Sequence, residues 1–597
     1  MAAAPASRID AVLWPVQAPV DVWHTSGKAP LTVTYQFASS QPGDLWYSYG
    51  GWTAFTSAQK AAVHSAFAEF QEIINVRFVE VTGSSDPDFN LGRVNMSYGG
   101  EGGFTYQYFT NGSGEVTSKT LDSFAVFNRT LGLTSQDDRN LLLHEIGHGL
   151  TLKHTGDYDA GGSSAPGPYL PSSEDNNKYS VMSYNDNPDN NAVSNHLMLY
   201  DIAALQYRFG ANLTTRAGSD TYTGPSGRIQ VIWDAGGTDR ISASSHSGVV
   251  NINLREGAFS SLGAHNNLAI AYGTVIEHAS GGSGSDILYG NTINNMLQGL
   301  GGNDRLLSSS GNDTLKGGAG RDFMDGGAGL DFVDYRDKGV AVSLVLNGAS
   351  NAIVKVNGLN EDTVRNSENV LGGTAADTLT GDGYANIFRG GGGKDVLNGA
   401  GGLDTADYSD KSLVVSVTLK GSANAVVKVN GVSEDTIRNF ENVAGGTKND
   451  ILTGDGFANV LTGNGGNDKI TGGSGNDTLI GGAGKDVLNG GAGKDLFLLN
   501  AALGSSNVDT IAGYSAADDT VRLENAIFKA LGGTAGTLAT GKFFIGSAAH
   551  DADDRIIYNQ STGALIYDSN GNGSGGAIQF AKLSAGLALT HWDFYVV

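Results

Sequence analysis

Three of the chain's 11 histidines fall in one short stretch, HEIGHGLTLKH, from His144 to His154. On a helix His144 and His148, four apart, point the same way about one turn from each other. Two imidazoles so placed can bind one zinc ion. Glu145 lies off that face, where it can hold a water that the metal polarises. His154 follows six residues after His148, so the helix must stop and the chain turn back. Three protein nitrogens leave a coordination position open for water, the arrangement of a catalytic zinc. Zinc lowers the pKa of bound water to roughly 7. Glu145 would accept that water's proton and pass it to a leaving amine, while the metal stabilises the developing oxyanion.

These residues need a scaffold, and the first part of the chain supplies one. Leu141 to Leu152 reads as the helix carrying the histidines, with Thr134 and Ser135 facing Asp137 and Asp138 as capping boxes. Leu31 to Phe37 alternates as a strand. Ser57 to Ile74 has apolar residues at helical spacing (Ala61, Ala62, Phe67, Phe70, Ile73 and Ile74), and Val76 to Val81 reads as the next strand.

A chain of 597 residues exceeds one core, so two to four domains are expected. With 40% hydrophobic residues it is globular. The formal net charge of −24 excludes the clustered Lys and Arg that phosphate binding needs, so no nucleic-acid partner is expected. No cysteine means no disulfide framework and no thiolate metal site or thiolate latch on the zinc. No run is long and apolar enough for a transmembrane helix. The N-terminus lacks a basic n-region and an apolar h-region, so the protein is expected to be cytosolic or to leave by a route needing no N-terminal signal.

Glycine is abundant, at 88 residues, and from Gly281 much of it falls in a nine-residue period. The cleanest units are GNGGNDKIT, GGSGNDTLI, GGAGKDVLN and GGAGKDLFL. Glycines turn the chain and expose carbonyl oxygens, the aspartate adds a carboxylate, and the apolar eighth residue points inward. Stacked turns then offer the all-oxygen shell that calcium requires. Candidate calcium ligands are Asp286, Asp304, Asp313, Asp322, Asp331, Asp377, Asp395, Asp404, Asp450, Asp468, Asp477, Asp486 and Asp495. Leu288, Leu306, Leu315, Leu452, Ile470, Leu479 and Leu488 are expected inside. Asn295, Asn386 and Asn459 replace the aspartate in three units, which are expected to bind weakly or only build the stack. A longer repeat overlies this one. The segment from Asp334 matches that from Asp407 at an offset of 73 residues, a tandem duplication of a strand-rich module.

Together with the three histidines, YSVMSY (Tyr179 to Tyr184) resembles the metzincin clan, whose histidine motif is followed by a turn containing methionine. More narrowly, HTGDYDAGG, DIAALQYRFGAN and VIWDAGGTD resemble the serralysins, and the nonapeptides resemble RTX calcium repeats. The likeness runs from about Leu31 to the C-terminus. It implies that Met182 forms an apolar floor under a zinc, and that Tyr184 is an auxiliary ligand or oxyanion donor. Two positions depart from the family pattern. Thr151 stands where metzincins have glycine, a poor substitute at positive φ, and Thr155 stands where serralysins often have proline. Gly149 is positioned to end the helix early and relieve that turn.

The expected architecture is multidomain: an α+β metzincin-like catalytic domain over 21–215 and a β-rich connector over 216–280. A parallel β-roll with β-rich inserted modules follows over 281–500, and a C-terminal domain over 501–597. Residues 1–20 are expected to be an N-terminal extension or propeptide. The resemblance implies an extracellular zinc endopeptidase acting on proteins or peptides, stabilised by calcium. It also implies type I secretion guided by the C-terminus, where Asp593, Phe594, Tyr595, Val596 and Val597 fit the acidic-then-apolar pattern. The alternative is a calcium-dependent cell-surface or adhesion protein with a degenerate protease domain, for which Thr151 and the long array speak. A lipase of the same repeat class would need a G-x-S-x-G elbow, and GGSGSD and GNGSGG are repeat or loop glycines instead.

Overall fold

The computed structural model describes residues 4–14, 29–43, 45, 48–84, 86–110, 116–158, 167–225 and 228–597, with the side chains of 105–110 and 116–121 outside that set. The chain packs as two units, Met1–Ser309 and Ser310–Val597.

The first unit opens with α1 (Ala6–Val12), followed by β1 (Leu31–Ala38), α2 (Ser57–Ile73), β2 (Val76–Glu80) and β3 (Phe89–Val94). Next come β4 (Gly100–Thr110), β5 (Val116–Asn128), α3 (Gln136–Gly149) and α4 (Leu199–Phe209). The strands form one sheet in the order β2-β1-β3-β5-β4. All neighbours are parallel except β4, which runs antiparallel to β5 at the edge. β3 is buried at every position, as a strand with parallel neighbours on both sides should be. α2 is fixed at its start by a reciprocal cap: Thr56 N–H donates to Gln59 Oε1 at 3.0 Å, and Gln59 N–H to Thr56 Oγ1 at 3.3 Å. Its Val63, Phe67 and Phe70 enter a core shared with Leu142, Leu143 and Ile146 of α3 and Leu205 and Phe209 of α4.

α3 starts five residues before the expected Leu141 and ends at Gly149 instead of Leu152. Ser135 is its cap, paired with Asp138 at 3.0 Å in both directions. Its end is early because Thr151 turns the chain with φ at +75°. Residues 4–14, expected to lie in a propeptide or extension, contribute Ile9, Ala11, Val12 and Leu13 to this same core.

Short parallel strands begin stacking at Thr221–Tyr222, which pairs with Arg240–Ser242, and that in turn with His278–Ser280, well before Gly281 where the nine-residue period becomes legible.

In the second unit alternate nonapeptides feed alternate sheets. Leu452, Ile470 and Leu488 register with one another on one sheet; Leu461, Leu479 and Phe497 do so on the other. All six are fully buried. Each duplicated module inserts three strands into one sheet only: Val342–Val345, Ala352–Val356 and Leu359–Arg365 in the first copy, and Val415–Thr418, Ala425–Val429 and Val432–Arg438 in the second. The middle strand of each runs antiparallel to both neighbours, which lets the outer two rejoin the parallel stack. Phe594–Val596 pairs in parallel with Thr520–Leu523, so the last residues form a strand of the stack.

Candidate metal centre

α3 carries His144 and His148 on one face, and the turn after Gly149 returns His154 to them. The Nε2 of His154 lies 3.2 Å from that of His144 and 3.1 Å from that of His148. The opposite nitrogens are committed elsewhere: His144 Nδ1 to the Val181 carbonyl at 2.8 Å, and His148 Nδ1 to the Leu152 carbonyl at 2.9 Å. Each Nδ1–H donating to a carbonyl leaves Nε2 with its lone pair toward the centre, the tautomer a metal needs. Burial lowers the pKa of all three imidazoles, that of His154 to about 3, and the neighbouring histidines lower His148 and His154 further. Two lone pairs, of His144 and His148, thus face the His154 Nε2, and three imidazole nitrogens converging on one point fit a cation.

Glu145 is buried on the sheet side. Burial pushes its carboxyl up to about 8, Glu101 adds to this, and the Gly102 N–H opposes it. Glycines in β4 permit the approach of α3. A Cβ at Gly102 would press on the Glu145 carbonyl, with that carbonyl's carbon only 2.8 Å away.

Met182 is fully buried, and its sulfur lies against Gly147 of α3. Tyr184 is 56% exposed, with its ring 4.6 Å from that of His154 and 5.7 Å from that of His144. Thr155, at the position of the second departure, donates to Asp175 Oδ1 at 2.5 Å.

Sequence reasoning missed Asp201, which anchors the methionine turn. Ser180 Oγ donates to its Oδ1 at 2.5 Å, while Val181 N–H and Met198 N–H donate to Oδ2 at 2.8 and 2.9 Å. An aspartate at the third position of a helix marks a cap, and that was the available signal. It also missed Asp220, Asp234 and Asp239, whose carboxylate oxygens lie within 4.8 Å of one another. Asp239 Oδ2 is buried and meets no donor among the described residues, so this group too suits a cation. Its signal was two short Gly/Asp segments, RAGSD and DAGGTD, nineteen residues apart at Asp220 and Asp239.

The 13 repeat aspartates expected to bind calcium are all buried, none more than 3% exposed. They form ladders in which a backbone N–H donates to a carboxylate one layer on: Asp450 to Asp468 at 2.7 Å and Asp468 to Asp486 at 2.7 Å, with Asp331 and Asp404 donating instead to Glu368 and Glu441. The Oδ2 atoms of Asp331, Asp395, Asp404, Asp468, Asp477, Asp486 and Asp495 meet no donor among the described residues. Burial and neighbouring carboxylates push Asp468 up to about 7. Asn386 and Asn459 differ: each Nδ2 donates to a carbonyl, of Glu368 and Glu441, at 2.8 Å. A third cluster, His550, Asp551 and Asp554, is bonded internally, with His550 Nδ1 2.8 Å from Asp554 Oδ2.

Residues 207–399 match the family described as Peptidase M10 serralysin C terminal, and 444–479 and 462–497 match the RTX calcium-binding nonapeptide repeat. The chain is 33% identical over 299 residues to metallopeptidase AprA of Pseudomonas marginalis, covering 46% of this chain and 62% of that one. It is 35% identical over 261 residues to serralysin C of Dickeya chrysanthemi, covering 40% and 54%. These matches thus span less than two thirds of either relative. The crystal structure of the extracellular lipase LipA from Serratia marcescens aligns with a TM-score of 0.17 at 13% identity, covering 61% of this chain and 45% of that one, and carries no argument. By its matched segments the chain is similar to the serralysin-type metalloproteases, with their M10 C-terminal domain and RTX calcium-binding repeats.

Proposed function

We propose that the protein is a secreted zinc endopeptidase, with His144, His148 and His154 as metal ligands and Glu145 as general base. The observation that carries this reading is the convergence of three neutral Nε2 atoms, two of them aimed by donation from Nδ1 to backbone carbonyls. Zinc bound there supplies a water that ionises near neutral pH and an electrophile for a peptide carbonyl. Glu145 accepts the water's proton and returns it to the leaving amine. Tyr184, half exposed beside His154, is the auxiliary ligand or the donor to the oxyanion. Met182 is the apolar floor. β4 is the terminal strand of its sheet and packs on α3, so an extended peptide has an edge to pair with beside Glu145.

The repeat aspartates take calcium, whose charge balances the buried carboxylates. Export is through a type I system reading the C-terminal residues Asp593 to Val597. Phe594 and Val596 are also buried in the last strand, so the tail has a structural role as well. Removing these five residues is expected to retain the protein in the cell; normal export of the truncated chain would defeat this part.

Casein hydrolysis by calcium-loaded protein tests the whole reading, comparing wild type with Glu145→Ala and adding a chelator followed by zinc. Activity that needs both Glu145 and zinc is the expected result. A folded, zinc-loaded and inactive protein would point instead to the surface-protein alternative.

A further inference from the structure

The carboxylate ladder of the second unit continues through both inserted modules, but with one change in its charge. In ordinary steps an aspartate pairs with the aspartate 18 residues on, as in Asp450–Asp468 and Asp477–Asp495. At the first module Asp322 N–H instead donates to Asp362 Oδ1, 40 residues on, at 2.9 Å. At the second, Asp395 donates to Asp435 across the same interval and at the same distance.

Both of these steps contain a side-chain cation. Lys338 Nζ donates to the carbonyl of Gly318 at 2.6 Å and to Glu361. Gly318 is the second glycine of GGAGRD, the turn that ends in Asp322, and Glu361 adjoins Asp362. The ammonium therefore bridges the two layers whose aspartates are laddered. Lys411 does the same in the second copy, donating to the Gly391 carbonyl and to Glu434, each position displaced by 73 residues. Both lysine side chains are largely covered, at 11% and 13% exposed. In the steps Asp450–Asp468, Asp468–Asp486 and Asp477–Asp495, no lysine or arginine side chain is bonded to the turn among the described residues.

We propose that Lys338 and Lys411 are built-in cations that take the place of calcium in these two layers, so that each module joins its layers without a bound ion. A lysine ammonium presents three donors and one charge to an oxygen shell, and it sits on a turn carbonyl that a calcium would need. The residues at these two steps do not fit a calcium while the lysine is in place, and Asp322 and Asp395 are reassigned from calcium ligands to lysine-bridged positions. The duplication copied this device intact. The inference rests on the reading that the ordinary turns bind calcium.

Two measurements on the full-length chain test it. The first is amine acetylation of the wild type at saturating calcium, comparing Lys338 and Lys411 with Lys355 and Lys428, which lie exposed in the same modules. The two bridging lysines are expected to react about ten-fold more slowly. Reaction as fast as that of Lys355 and Lys428 would overturn the proposal, since calcium would then have expelled them. The second is bound calcium per chain by equilibrium dialysis for wild type, Lys338→Ala and the double variant with Lys411→Ala. One additional ion for each lysine removed is expected; an unchanged count in a folded variant refutes it. Should the variants not fold, the acetylation of the wild type decides. A wild type that binds no calcium at all fails the reading of the roll itself, a result distinct from labelled lysines in a calcium-loaded chain.

Discussion

The backbone N–H of Trp14 donates to the carbonyl of Thr151 at 3.1 Å, tying the N-terminal segment to the turn between the second and third histidines. Lys153 N–H donates to the Val12 carbonyl at 2.8 Å, and Leu13 bridges Leu152. The turn that returns His154 to the centre is therefore held from behind by residues more than a hundred positions earlier.

Deleting residues 1–14 should destabilise the first unit. Burying each of Ile9, Val12 and Leu13 contributes on the order of 1.5–3 kcal/mol. For a unit of this size the loss lowers the unfolding midpoint by on the order of 10 °C. Calorimetry of the truncated chain checks this, and an unchanged midpoint would show that the segment is dispensable.

Thr151→Gly should stabilise the protein. Thr151 holds φ at +75°, and its buried hydroxyl meets no partner among the described residues. A left-handed conformation costs a non-glycine residue about 1–2 kcal/mol, and the greater freedom of unfolded glycine returns part of that. A net gain of about 1 kcal/mol is expected in thermal unfolding. A lower midpoint would mean that the β-branched side chain packs well enough to outweigh the strain.

Glu69→Gln should destabilise at pH 7 and progressively less as pH falls below the ordinary glutamate value toward the depressed folded one. Glu69 of α2 accepts from Leu197 N–H at 2.6 Å and pairs with Arg139 of α3 and with His196. Burial pushes its carboxyl up, but His196, Arg139 and the Leu197 N–H outweigh this and hold it below the usual glutamate value. A depressed folded pKa gives stability that is present above the unfolded pKa and lost as pH falls through the folded one. Breaking a buried pair costs about 3 kcal/mol, so the midpoint difference between variant and wild type should shrink steadily on acidification. A difference independent of pH would refute the ionic origin.

Asn459→Asp should make that turn depend on calcium. The Asn459 Nδ2 donates to the Glu441 carbonyl at 2.8 Å, and a carboxylate there sets two acceptors against each other. In chelator the variant should lose about 1–3 kcal/mol, and saturating calcium should restore it. Equal stability of variant and wild type in chelator would show that the amide contributes nothing.

The shared face of His144 and His148 is legible in their spacing, because helical geometry fixes which residues share a face. The same holds for the nonapeptide period, since each unit repeats the turn glycines and the inward residue, and the buried Leu452, Ile470 and Leu488 follow it. Other features depend on how separate segments pack, which a local signal can flag but spacing alone does not resolve. The packing of α1 behind Thr151, the anchoring of the methionine turn by Asp201, and the grouping of Asp220 with Asp234 and Asp239 are contacts that only the folded chain creates. The sequence alone marked every repeat aspartate as an equivalent oxygen donor. Only the tertiary structure distinguished them, because the ammonium on the Gly318 carbonyl, in the turn that ends in Asp322, comes from Lys338 in an inserted module, and a charge acts through distance in space rather than position along the chain.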